Sequence, residues 1–153
     1  MEGRSGEDRS REATVVAGLA IALTVVLHQV RLFRMPQGGS ITLGSAIPLW
    51  IVARRFGPVW GALSGVGAGV LLFVLGGAPV LHPVQPILDY VLAFGSMGLA
   101  SLPRSLTGGV ALSILVRFTI QVVSGVVFFA TYAPSGVNAL TYSMVYNSYL
   151  VVD

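Results

Sequence analysis

Cysteine and lysine are both absent from this 153-residue chain, and acidic residues nearly so. Without cysteine there is no disulfide, no thiolate metal site and no Cys nucleophile. All nine basic residues are therefore arginine. Charged residues make up only 10% of the chain against 54% hydrophobic, and the mean hydropathy is +0.82. An ordinary soluble domain carries about a quarter charged residues, so this composition is that of an integral membrane protein. The formal charge of +3 does not read as nucleic-acid binding, because the arginines stand singly or in pairs at segment ends and form no basic stripe. No G-x-x-x-x-G-K-[ST] motif is present, which excludes ATP hydrolysis by this chain itself. His28 and His82 lack the H-E-x-x-H spacing of a zinc site. Neither a cofactor nor an enzymatic activity is expected.

What the chain does have is apolar length. A hydrocarbon core about 30 Å thick needs about 20 apolar residues per helix. Candidate segments are Ala13–Phe33, Ile41–Ala53, Pro58–Gly76, Val84–Leu102, Gly108–Tyr132 and Ala139–Val152. The expected fold is all-α, a six-helix membrane bundle over residues 13–153. The second segment is short and carries Pro48, so a tilt, a kink or borrowed flanking residues are expected; the sixth runs out at Asp153 and reads as truncated. Residues 1–12 mix Arg4, Arg9 and Arg11 with Glu2, Glu7, Asp8 and Glu12 and read as a disordered tail. The first apolar segment reads as a membrane helix and not as a cleaved signal peptide. Cytoplasmic loops are enriched in arginine. An N-terminus inside puts Arg4, Arg9, Arg11, Arg54, Arg55 and Arg104 on the cytoplasmic side and only Arg31 and Arg34 outside. Small residues recur at four-residue intervals in Ala13/Ala17, Gly18/Ala22 and Gly61/Gly65/Gly69. Such stripes let helix backbones approach closely, within the chain or against another protein.

Asp89 stands alone inside an apolar segment, the one acid between Glu12 and Asp153. An ionisable group there costs roughly 2.5–3.5 kcal/mol on insertion scales and marks a functional site by default. The topology puts Asp89 near the outer end of the fourth helix, level with Gln121, Phe129 and Tyr132 of the fifth and with Tyr142, Tyr146 and Asn147 of the sixth. An acid, two amides and several aromatics suit recognition of a small molecule, and a carboxylate beside aromatic faces suits a cationic one. Plainer readings stand beside this one. Asp89 pairs with Arg117 to hold the bundle; Tyr142 and Tyr146 are belt aromatics; Gln121 and Asn147 only bond neighbouring helices; His82 is solvated; Arg31, Arg34, Arg54 and Arg55 anchor the interfaces.

Three stretches in order, Met35 to Pro48, His82 to Phe94, and Ser124 to Gly136 followed by Tyr142-Ser143 and Tyr146-Asn147, carry a resemblance. The chain resembles the thiamine-specific substrate-binding subunits, or S components, of energy-coupling factor (ECF) transporters. The resemblance implies a multi-pass protein of the prokaryotic cell membrane that captures thiamine from outside. It also implies docking onto a coupling transmembrane protein and two ATPase subunits. The family's acid falls on Asp89, its stacking aromatic on Phe129, and its tyrosine and asparagine on Tyr142 and Asn147. The small-residue motif that contacts the coupling protein matches Ala13 and Ala17. Gln37, Gly38, Gly39 and Ser40, flexible because of the glycines, are expected as a lid over the ligand, although Gly38-Gly39-Ser40 stands where some family members carry aromatic and acidic residues. The chain departs from the family where glutamate is usual but Asp89 stands, and where histidine is common but Gln121 stands. A carboxylate withdrawn by one methylene reshapes the pocket, shifts the ligand or selects a related aminopyrimidine. A purely structural membrane protein, and an S component for another vitamin precursor, are the competing readings.

Overall fold

The computed structural model describes residues 6–34, 40–76 and 80–151. Helix α1, Gly6–Gln29, starts seven residues earlier than the apolar pattern does, so residues 6–12 are helical and not a disordered tail. Glu7 and Asp8 sit in its first turn, where the helix dipole favours acid. Arg11 reaches back one turn to Glu7, and Glu12 pairs with Arg55 of the next helix. These contacts hold a charged stretch helical that composition alone would leave loose.

Helix α1 also stops early, at Gln29, and Arg31–Arg34 becomes strand β1, paired antiparallel with β2, Ser40–Thr42. This hairpin corrects the expectation of helix through Phe33. The expected lid residues Gln37, Gly38 and Gly39 lie outside the described residues, whereas Ser40 begins β2 and is buried. Helix α2, Ile47–Phe56, has ten residues, too few to cross a bilayer. Pro48 falls in its first turn, where the missing N–H and fixed φ are harmless, so no kink is needed. Gly57 takes φ 100°, and α3, Pro58–Gly76, begins at once. This is a turn that a side chain rarely adopts.

Helix α4 covers residues 84–101 in changing register: α over Val84–Pro86, π over Ile87–Leu92, α over Ala93–Gly95 and 3-10 over Ser96–Ser101. The N–H of Ala93 reaches back to the carbonyl of Leu88, five residues earlier. Helix α5, Leu106–Phe128, opens on Ser105, whose hydroxyl accepts from the Gly108 N–H at 3.1 Å. It ends at Phe128, ahead of a 3-10 turn over Ala130–Tyr132, where helix to Tyr132 was expected. Helix α6, Ala139–Asn147, is capped by Asn138 and continues as a 3-10 turn, Ser148–Val151.

Among the described residues the chain is thus an all-α membrane bundle of six helices with one small hairpin. Among the described residues, α1, α3 and α5 are long and apolar enough to cross a membrane. Their outer faces carry exposed Val15, Leu19, Val59, Leu63, Leu115 and Val127, the surface a bilayer covers. The core joins Leu49 of α2, Ala68 and Leu72 of α3, and Phe94 and Met97 of α4. Helices α3 and α4 meet backbone to backbone. A Cβ on Gly65 would stand 2.0 Å from the Phe94 carbonyl oxygen, and one on Gly69 would stand 2.2 Å from that of Tyr90. The glycine stripe is therefore packing within this chain.

Candidate ligand cavity

The C-terminal ends of α1, α3 and α5 and the N-terminal ends of α4 and α6 gather at one end of the bundle, beside the hairpin. They enclose a cavity of about 350 Å³, within the size range of small-molecule sites. All seven residues singled out from the sequence line it: Asp89 from α4, Gln121 and Phe129 from α5 and its end, Tyr132 at the rim, and Tyr142, Tyr146 and Asn147 from α6. Ser40 lines it from the hairpin.

Asp89 lies within the π-helical turn, the kind of local widening that recurs at functional sites. Its carboxyl faces the side chains of Ser124 and Gln85. The amide of Gln85 is held in place, because its Oε1 accepts the Leu81 N–H at 2.9 Å and so turns its nitrogen away from that bond. Gln121 approaches the same turn from α5. Its Nε2 donates to the main-chain carbonyl of Asp89 at 3.5 Å, a long bond at the limit of the interaction.

Helix α6 is tied to α5 by polar contacts under the cavity. Ser143 donates to the Val122 carbonyl at 2.9 Å, while Asn147 Nδ2 donates to the Ser143 carbonyl at 2.9 Å and to the Gln121 carbonyl at 3.4 Å. Gly125 permits this approach, since a Cβ there would lie 2.1 Å from Ser143 Oγ. Asn147 and Gln121 therefore do bond neighbouring helices, as the plainer reading had it, and they line the cavity as well. Gln121 Oε1 and the Tyr142 hydroxyl, both on cavity-lining side chains, are buried without a hydrogen-bond partner among the described residues. An unsatisfied buried polar atom costs about 1–3 kcal/mol, a cost that hydrogen bonding to a matching group removes.

Aromatic rings form one wall. Phe129 and Tyr132 lie 5.8 Å apart between centroids, Tyr142 and Tyr146 stack at 6.0 Å, and Tyr149 meets Tyr146 edge-on at 6.3 Å. Arg117, only 6% exposed, also lines the cavity and holds its guanidinium 4.5 Å over the ring of Phe94, a cation–π contact.

Sequence reasoning missed several lining residues. Arg31 was read as an interfacial anchor, yet it lines the cavity from β1 together with His28 and Gln29 of α1. Gln85, buried and four residues before Asp89, is a neutral amide in an apolar run, and that anomaly was its signal. Tyr90, Phe94 and Tyr149 gave no signal beyond apolar patterning. His82 is exposed, as expected, with its ring stacked on Phe128 at 5.3 Å. Among the described residues, no three of His, Asp and Glu come together as a metal site.

Ala13 and Ala17 are not gathered at the cavity and do not form an exposed strip. They are 1% and 7% exposed, and Ala17 packs with Ala20 and Val52. The outward face of α1 instead carries Gly18 and Ala22, with open space beyond Gly18.

The family described as Thiamine transporter protein (Thia_YuaJ) matches residues 14–153. The chain is 30% identical to a protein named thiamine transporter ThiT from Bacillus subtilis, over 92% of this chain and 81% of that one. It is 32% identical to a protein of the same name from Lacticaseibacillus paracasei, over 89% of this chain and 75% of that one. These relatives are named for transport and not for an enzymatic reaction. A solved structure of ThiT from Listeria monocytogenes, 23% identical, shares the fold with a TM-score of 0.81 over 94% of this chain and 86% of that one. With an integral membrane bundle of matching architecture and a family match over nearly its whole length, the chain belongs to the thiamine transporter protein family.

Proposed function

We propose that this chain captures thiamine from the outer side of the membrane and delivers it inward by docking on an ATP-driven assembly. The observation that carries the reading is the single cavity in which Asp89, two amides and a wall of aromatics come together. Thiamine joins a neutral aminopyrimidine to a thiazolium cation, so it needs acceptors at one end and π faces at the other. Asp89 accepts from the aminopyrimidine. Phe129 stacks on the thiazolium, with Tyr132, Tyr142 and Tyr146 near the ring edges. Asn147 has its nitrogen committed to Ser143 and Gln121, so it turns its carbonyl oxygen to the ligand.

The chain carries no ATP-binding motif, so the energy for uptake comes from partners: an ECF coupling transmembrane protein and two ATPase subunits. The N-terminus is cytoplasmic. Arg54 bonds the carbonyls of Pro103 and Arg104, and Arg55 pairs with Glu12. Arginines of α2 and of the α4–α5 connection thus gather beside the first turns of α1, at the end opposite the cavity, the pattern of a cytoplasmic side. With Ala13 and Ala17 buried, the contact with the coupling protein falls to the outward face of α1 at Gly18 and Ala22, where a partner helix approaches closely.

The test is a thiamine titration of the purified protein, followed by tryptophan fluorescence, with the pyrimidine half and the thiamine phosphates as competitors. Saturable binding in the micromolar range or tighter, displaced best by thiamine, is expected. No response at millimolar thiamine, with the same behaviour in Asp89→Asn, would return the protein to the structural reading. Displacement chiefly by another aminopyrimidine would reassign the ligand.

A further inference from the structure

Asp89 has a short side chain, and its carboxyl is turned toward Ser124 and Gln85 along the wall between α4 and α5. A carboxylate offers about four lone-pair directions, but on so short a side chain they reach only part of the cavity. Gln121 faces the same turn from α5 with a longer arm. Which end of its amide serves the cavity is fixed by chemistry. Only N–H approaches a carbonyl, and Nε2 is the atom near the Asp89 main-chain oxygen. Oε1 is therefore the end left over, buried and without a partner. The terminal amide torsion is soft, and the 3.5 Å bond holding it is weak, so a small rotation brings Oε1 to a donor in the cavity. A ring nitrogen or a carbonyl on the ligand would not satisfy it; an N–H would.

We infer that Gln121 is a specificity-determining residue: its Oε1 accepts one N–H of the ligand's exocyclic amine while the Asp89 carboxyl accepts the other. The inference rests on the thiamine reading above and adds to it. The long amide makes up for the short acid, so the pair reads an amino group, with its two donors, where one acceptor would read only half of it. A site built to bond a donor rejects the analogue that lacks it, because its acceptors are then left unpaired.

The experiment measures the dissociation constants of thiamine and of its 4-deamino analogue, amine replaced by hydrogen, for the wild type and for Gln121→Leu. In the wild type thiamine binds on the order of 100-fold tighter than the analogue, two lost hydrogen bonds at about tenfold each. In Gln121→Leu this preference falls to about tenfold, with the analogue's own affinity nearly unchanged. Binding of the analogue also certifies that the variant is folded. An unchanged preference, an equal loss for both ligands, or a variant that binds neither makes Gln121 a packing residue and overturns the inference. Absence of thiamine binding in the wild type is a different result; it overturns the reading beneath, and the inference with it.

Discussion

The two sides of α4 are built on opposite principles. Toward α3 the contact is backbone on backbone, Gly65 and Gly69 against the carbonyls of Phe94 and Tyr90, with no room for a methyl group. Toward α5 and α6 the first half of the same helix widens into a π turn and lines a cavity of about 350 Å³ with polar atoms, some of them unsatisfied, while its later 3-10 stretch closes on α5, where a Cβ on Gly109 would stand 2.0 Å from the Ala100 carbonyl oxygen. One face spends its residues on stability and the other withholds them for a ligand.

If that division is real, substitutions on the two faces fail differently. The largest effect belongs to the packed side. Gly65→Val inserts three carbons where even a Cβ overlaps the Phe94 carbonyl, so about 3 kcal/mol or more of stability is lost. Thermal unfolding in detergent should show a large drop in midpoint, with ligand binding lost in step. A Gly65→Val protein with wild-type stability would break the comparison at once. On the cavity side Asp89→Asn keeps shape and removes charge. Thiamine affinity should fall by about 10- to 100-fold, the worth of a charge-assisted hydrogen bond, while the unfolding midpoint of the unliganded protein holds or rises. Phe129→Leu should cost about tenfold in thiamine affinity by removing the stacking face. It should cost much less for the uncharged pyrimidine half, a difference that competition titration reads directly.

Helix existence was legible because a bilayer demands length: the apolar runs at Pro58–Gly76 and Gly108–Tyr132 are long enough that little else fits. The hairpin was not. Leu32 and Phe33 continue the apolar pattern of α1, and only pairing of Arg31 with Thr42 and of Arg34 with Ser40 makes them a strand, a contact that periodicity does not carry. Helix α4 was legible as a segment and illegible in register, since its π and 3-10 stretches lie where it packs on α3 through Gly69 of α3 and its own Gly98, close contacts that an apolar pattern does not encode. These cavity-lining residues came through because alternating topology sets Asp89, Gln121, Phe129 and Tyr142 at one level. Gln85 and Arg31 did not, because a neutral amide and an interfacial arginine have ordinary explanations where they stand. Ala13 and Ala17 show the limit of a spacing argument. Two small residues four apart share a helix face, and spacing alone does not say whether that face points inward.

The same contrast runs through α1, and there the predicted effects are smallest and most selective. Ala13 is 1% exposed and belongs to the packed side, so Ala13→Leu overpacks it and should lower the unfolding midpoint, with thiamine binding weakened only as the fold loosens. Gly18 is exposed, and a side chain there meets nothing within 4 Å in the chain. Gly18→Leu should therefore leave stability and thiamine affinity within about twofold of the wild type, as surface substitutions usually do. If the outward face of α1 receives the coupling protein, that same substitution should abolish uptake by cells expressing the whole transporter, because a bulky residue blocks the close approach of helices. Transport unaffected by Gly18→Leu would mean that the partner docks elsewhere. Transport lost together with binding would mean that α1 turns the other way in the membrane-embedded protein, and that the division between a packed and an open side is drawn in the wrong place.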